Sequence, residues 1–134
     1  MGQMIARIKR FQKMKKVLPY LLGFIMLLSA VAHILNPAFY TEMVPSFIPL
    51  GLANIVAAIA EAVIAVLLFL PKYRSWGGLA FLLLMIAFLP LHVWDLFKEN
   101  PAVGPSPAPI IRLAFQFLLI YAGWWIYKKY KPVN

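Results

Sequence analysis

The sequence predicts an all-α fold, a four-transmembrane-helix bundle with both termini cytoplasmic and an amphipathic helix at its N-terminus. Three observations lead there. The 134 residues are 63% hydrophobic and only 13% charged, against roughly 25% charged in an ordinary soluble domain. A water-soluble fold this small has too much surface for its volume to hide that much apolar side chain. Spanning hydrocarbon takes about 20 mostly apolar residues in a helix, and four such stretches with short connections nearly exhaust the length. Finally, the charges that make up the net +9 are sorted by loop. That sorting argues for anchoring at a membrane surface and against a nucleic-acid-binding face.

Residues 1–16 form the first segment. Arg7, Lys9, Arg10, Lys13, Lys15 and Lys16 alternate with Met4, Ile5, Ile8, Phe11 and Met14 near helical spacing, which predicts an amphipathic helix on the membrane surface. The membrane domain follows over 17–127, with spans at about 17–35, 50–70, 75–97 and 110–127. A basic start, an apolar run and Ala30-Val31-Ala32 have the outline of a cleavable signal; the first run is read here as a retained span. Pro71, Lys72, Tyr73 and Arg74 make a tight basic turn between the second and third spans. Pro101, Pro105, Pro107 and Pro109 mark a loop expected to be extended. Residues 128–134 are a basic tail.

Eleven of the thirteen basic residues fall in the N-terminal segment, the Pro71 turn and the tail, leaving Lys98 and Arg112 elsewhere. The positive-inside rule places that side in the cytoplasm, so the expected location is the cell (inner) membrane, with the lipid bilayer as first partner. Phe39, Tyr40 and Phe47 then anchor the outer interface, and Tyr73, Trp76, Trp124, Trp125 and Tyr127 the inner one. The chain has no cysteine, so it holds no disulfide framework, thiol relay or thiolate metal site.

Polar groups at bilayer depth cost about 2.5–3.5 kcal/mol on the mildest scale when charged, so those present are candidates for function. The first span has Ser29, His33 and Asn36 on one face; the second has Asn54 and Glu61 on a stripe with Ala57, Ala58 and Ala65. The third has His92 and Asp95, and the fourth Arg112 and Gln116. Neighbours three and four apart share a face, and polar faces in lipid turn toward other helices. At about 1.5 Å per residue, the histidines lie roughly 24–26 Å above the cytoplasmic ends of their spans, Arg112 about 22 Å, and Glu61 and Gln116 about 14–17 Å. The expected site is therefore an outward-opening polar pocket of His33, Asn36, Glu61, His92, Asp95, Arg112 and Gln116.

Glu61 is the sharpest of these. A lone carboxylate at that depth must be neutralised or meet a partner, and it reads either as a proton-active or ligand-binding group or as an interhelical hydrogen bond. His92 serves the pocket or pairs with Asp95 at the helix end. Arg112 snorkels to the headgroups unless Glu61 or Asp95 reaches it. His33, His92 and Glu61 have ligand chemistry that suits several ions, but their spacing makes no metal motif, and no metal is assigned. No cofactor is identified. Pro90, two residues before His92, should kink the third span beside the pocket. Met26 precedes His33 by seven residues as Met85 precedes His92, an echo of the kind duplicated helix pairs leave.

Taken in order, Ala32-His33-Ile34-Leu35-Asn36-Pro37-Ala38-Phe39-Tyr40, Met43-Val44-Pro45, Ile48-Pro49, Glu61, Leu70-Pro71, Arg74, Gly77-Gly78, Pro90 to Trp94 and Arg112 to Gln116 form a pattern over about 17–127. It resembles the DoxX-like family of small membrane proteins. In many of those the third span reads proline, small residue, asparagine; here Leu91 and His92 stand in the last two places. The resemblance implies a four-helix membrane bundle and an association with redox systems, one member being a subunit linked to thiosulfate:quinone oxidation.

Three functions follow as expectations. The first is binding of a small lipophilic ligand, a quinone or lipid, in the polar pocket, alone or as membrane subunit of a redox complex. The second is a non-catalytic assembly partner whose polar faces join helices, in a complex or a homo-oligomer. The third is an intramembrane enzyme using Glu61 and a histidine as acid and base, for which the sequence offers no substrate handle.

Overall fold

The structure, a computed structural model, describes residues 1–132. The last two residues of the basic tail, and the side chains of Met14 and Lys15 in the N-terminal segment, lie outside the described residues. Four long helices make up the chain: α1 over Gly2–Leu35, α2 over Leu50–Phe69, α3 over Arg74–Asp95 and α4 over Ala108–Tyr130. Two short 3₁₀ segments, Pro37–Met43 and Pro71–Tyr73, lie in the connections. Among the described residues there is no strand. All four helices are long and apolar enough to cross a membrane.

The helix ends differ from expectation in two places. α1 runs unbroken through the basic segment and through Pro19, so no separate N-terminal element forms. Its 34 residues make a rod about 51 Å long. Pro19 is fully buried within it. The proline-rich connection is also not extended. It folds into turns, with Gly104 N–H bonded to the Pro101 carbonyl at 3.1 Å and Ala108 N–H to that of Pro105 at 3.1 Å. Gly104, at φ +100°, takes the left-handed turn position that glycine alone adopts without strain.

Helix α1 packs on α2, α2 on α3 and α3 on α4. The core is built where these faces meet, from Leu22 and Met26 of α1, Ile64, Ala65 and Leu68 of α2, Phe81 and Met85 of α3, and Ile126 of α4. Away from it, large apolar side chains such as Leu21, Phe24, Leu52, Ile59, Leu83 and Leu118 face outward. So much exposed apolar surface on one small chain is a surface made for contact with something other than water.

α3 and α4 approach most closely at two glycines. A Cβ at Gly78 would fall 2.6 Å from the Tyr127 backbone nitrogen, and one at Gly123 would fall 2.9 Å from that of Leu82. Helices without a hydrophobic drive between them associate through such small-residue contacts. Ser75 adds a hydrogen bond, its hydroxyl donating to the Tyr127 carbonyl at 3.0 Å.

Arg74, expected in an interfacial turn, is instead 6% exposed. Its Nε donates to the Leu68 carbonyl at 3.0 Å, and the guanidinium lies 4.4 Å from the Tyr20 ring centroid and 5.5 Å from that of Tyr130. The cation thereby satisfies a carbonyl left open at the C-terminus of α2 and joins three helices through aromatic faces.

Candidate functional site

The polar residues of the spans gather at the end of the bundle where α1 and α3 finish and α2 and α4 begin. Seven residues along α2, Asn54 and Glu61 face α1, and on α1 the imidazole of His33 sits between them. His33 Nδ1 lies 2.7 Å from Asn54 Oδ1. The Asn54 amide nitrogen donates to the carbonyls of Leu50 at 3.0 Å and Pro37 at 3.3 Å, which assigns its oxygen to His33. Hence Nδ1 carries the proton and donates.

That assignment fixes what the other ring nitrogen can do. His33 Nε2 stands 3.7 Å from Glu61 Oε2, and the two side chains are 9% and 3% exposed. With Nδ1 already a donor, Nε2 is the ring nitrogen left to face the carboxyl group. At 3.7 Å the contact is an ion-pair distance and not a hydrogen bond, and Glu61 Oε2 has no hydrogen-bond partner.

The 3₁₀ segment closes this corner. Tyr40 stacks on His33 with ring centroids 3.7 Å apart and planes inclined by 16°. Ser29 interacts with both Tyr40 and Glu61. Burial raises the Tyr40 phenol above its usual range; the Ser29 hydroxyl opposes the rise and the Glu61 charge adds to it.

Across from this corner is a second group on α3 and α4. Arg112 donates through Nη1 to Asp95 Oδ2 at 3.1 Å and through Nη2 to His92 Nε2 at 3.3 Å. A guanidinium has no acceptor, so His92 Nε2 must accept and the neutral ring carries its hydrogen on Nδ1. That Nδ1 is buried and has no partner.

Between the two groups lies a cavity of about 210 Å³. His33, Tyr40, Glu61, His92 and Arg112 line it, as do Ser29 and Asn54; Val44, Pro45, Ile48, Phe88 and Leu91 supply apolar walls. Phe88, Leu91 and His92 flank Pro90, so the expected association of that proline with the pocket is seen, although α3 continues through it. The two histidines of the seven-residue echo both line the cavity, while Met26 and Met85 are both in the core.

Of the seven expected residues, His33, Glu61, His92 and Arg112 border the cavity. The other three have different placements. Asn36 is the exposed C-cap of α1, its backbone N–H bonded to Ala32. Asp95 is 3% exposed and ties the turn-rich connection down. Its Oδ1 accepts from Ala102 N–H at 2.7 Å, and Lys98 Nζ lies 3.8 Å away. Lys98 in turn donates to the Glu42 carbonyl, linking the two connections at this end. Gln116 is buried deeper and donates to the Met85 carbonyl at 2.7 Å, an α3–α4 bond in the core.

Three cavity residues with hydrogen-bonding side chains, Ser29, Tyr40 and Asn54, were not among the seven. Ser29 and Asn54 stand on the polar stripes with His33 and Glu61, and the spacings of four and seven pointed to them. Tyr40 gave no such signal, since an aromatic after a span reads as an interfacial anchor. Among the described residues no three His, Asp or Glu side chains converge as a metal site, so His33, His92 and Glu61 do not form one set.

Glu61 and His92 border this apolar space, and each has one buried side-chain atom without a hydrogen-bond partner, Glu61 Oε2 and His92 Nδ1. Buried polar groups are ordinarily hydrogen-bonded, so these two atoms are exceptions within the site. No curated protein and no solved structure matches this chain. A family model described as a domain of unknown function (DUF8561) matches residues 22–127. That range takes in the cavity, all of α2 and α3, most of α4 and the second part of α1, and the chain belongs to the DUF8561 family.

Proposed function

We propose that this is a multi-pass membrane protein that binds a small lipophilic molecule, a quinone or lipid, in the cavity at the outer end of its bundle. One observation carries the reading: Glu61, 2% exposed, borders an apolar cavity with its Oε2 unbonded while His92 Nδ1 is likewise unbonded. A guest with a hydroxyl and a carbonyl, or one ring bearing both, would satisfy the two. The volume of about 210 Å³ is below the roughly 300–1,000 Å³ of pockets that enclose a drug-sized ligand. It therefore suits a ring or headgroup whose tail runs out between helices into lipid.

The distribution of basic residues supports cytoplasmic termini and a cell-membrane location. On that orientation the cavity opens to the outer side. The start of α1 extends roughly 20 Å beyond a hydrocarbon core of about 30 Å. This basic amphipathic stretch then lies in or projects from the cytoplasmic interface. The DoxX-like pattern supports service as a membrane subunit beside redox partners, or as a homo-oligomer. The assembly reading is favoured by one feature, the Gln116 bond to Met85, which joins α3 and α4 and needs no guest.

The test is to purify the protein in mild detergent and identify the retained lipophile by mass spectrometry, beside Ala57→Leu. Ala57 lines the cavity, and the larger side chain takes up its space while every polar lining residue stays in the sequence. The reading expects retention to fall at least tenfold. Equal retention by the filled variant would place the lipophile elsewhere and sink the reading.

A further inference from the structure

A second concavity lies away from the polar cavity, along the seam between α1 and α4. These two helices are sequence-distant and pack only sparsely against one another. The groove between them has a volume of about 850 Å³. Its walls are apolar, with Leu21 and Ile25 on α1 facing Leu118 and Trp125 on α4, and at one end it is bordered by Arg10 and Lys13.

Length, sign and position together describe an occupant. From Lys13 to Ile25 the α1 wall is about 18 Å long, close to the roughly 15 Å of one leaflet's hydrocarbon. Trp125 lies toward the basic end, at the level where aromatic residues meet headgroups. Arg10 and Lys13 have no carboxylate partner among the described residues. None is within reach in the fold, because Glu42, Asp95 and Glu99 sit at the opposite end and Glu61 is midway along α2. The described residues therefore offer these two cations no counter-charge at this end of the bundle.

We infer that the α1–α4 groove is a binding site for one anionic phospholipid of the cytoplasmic leaflet, its phosphate held by Arg10 and Lys13 and an acyl chain lying along Leu21 and Leu118. This site is separate from the polar cavity, with which it shares no lining residue. An anionic lipid wedged in the seam completes the packing that α1 and α4 lack, and it ties the N-terminal part of α1 to the membrane surface.

Native mass spectrometry of the whole protein, with phosphatidylglycerol and phosphatidylcholine at equal concentration, tests it. The wild type is expected to retain phosphatidylglycerol preferentially. R10Q/K13Q should weaken that retention about 25-fold, from roughly fivefold per cation at a membrane surface. The charge-matched pair R7Q/K9Q, outside the groove, should lose no more than about threefold. Ala122→Phe, which fills the groove with both cations intact, should also lose the lipid. Equal losses from the two charge pairs would mean general attraction to the basic segment and would overturn the site. So would unchanged retention in Ala122→Phe. The chain has no cysteine of its own, so Leu118→Cys reports cleanly on a second copy. Rapid formation of a disulfide-linked dimer would show the groove to be a protein interface and overturn the lipid.

Discussion

His33 and Glu61 face each other at 3.7 Å across the α1–α2 interface while the far nitrogen of the imidazole is held by Asn54 at 2.7 Å. The amide sets the tautomer, and the tautomer turns Nε2 toward the carboxyl group. Asn54 is thus the residue that orients the corner, although it contributes no charge. Asn54→Ala should release His33 and leave the Pro37 and Leu50 carbonyls without their amide donor. The expected cost is about 1–2 kcal/mol, read as a lowered Tm in detergent. An unchanged Tm would mean the triad is not a structural unit.

The α3–α4 contact depends on two missing side chains. Gly78→Ala puts a methyl group 2.6 Å from backbone of the facing helix, where nothing can rotate away. Overpacking of this kind costs about 1–3 kcal/mol. Gly51→Ala meets nothing within 4 Å and should leave Tm unchanged or slightly raised. Thermal unfolding of the two variants, side by side, checks the pair.

Asp95 is expected to govern order in the 96–107 connection. Asp95→Asn removes the charge that Arg112 and Lys98 face and weakens the bond to Ala102 N–H. Amide exchange in that connection should rise by about tenfold or more, with smaller changes in α1 and α2. The loss in stability should be about 2–3 kcal/mol, because the arginine is left partly buried without its carboxylate.

Gln116 separates structure from binding. Gln116→Leu deletes the donor to Met85 O, and interhelical bonds in lipid average about 0.6 kcal/mol with a maximum near 1.7. Stability should fall by that amount. Lipophile retention should not change, because Gln116 does not border the cavity.

The four long helices were legible because apolar runs of span length leave a small chain no other arrangement. The observed limits of α2 and α3, Leu50–Phe69 and Arg74–Asp95, lie within about two residues of the expected ones. The start of α1 was not legible. The change from charged to apolar composition suggested a boundary at 16/17, and the helix runs through it. For the site, intramembrane polarity singled out His33, Glu61 and His92, since desolvation makes such residues too costly to keep without a use. Helical spacing places residues on a face but does not say which neighbour a long side chain meets. Asp95 and Gln116 share faces with cavity residues, yet one bonds a loop and the other a core carbonyl. Arg74 was hidden for a related reason: a cation beside a turn reads as interfacial, and only the fold shows Tyr20 and the Leu68 carbonyl waiting for it.

The most direct test of the account is lipophile retained per mole of folded protein in wild type and Glu61→Gln. The substitution keeps the shape of the side chain and removes the carboxylate that borders the cavity. The account predicts that retention falls at least tenfold while the variant remains folded in detergent. Undiminished retention with a lowered Tm would contradict it and make Glu61 an interhelical strut.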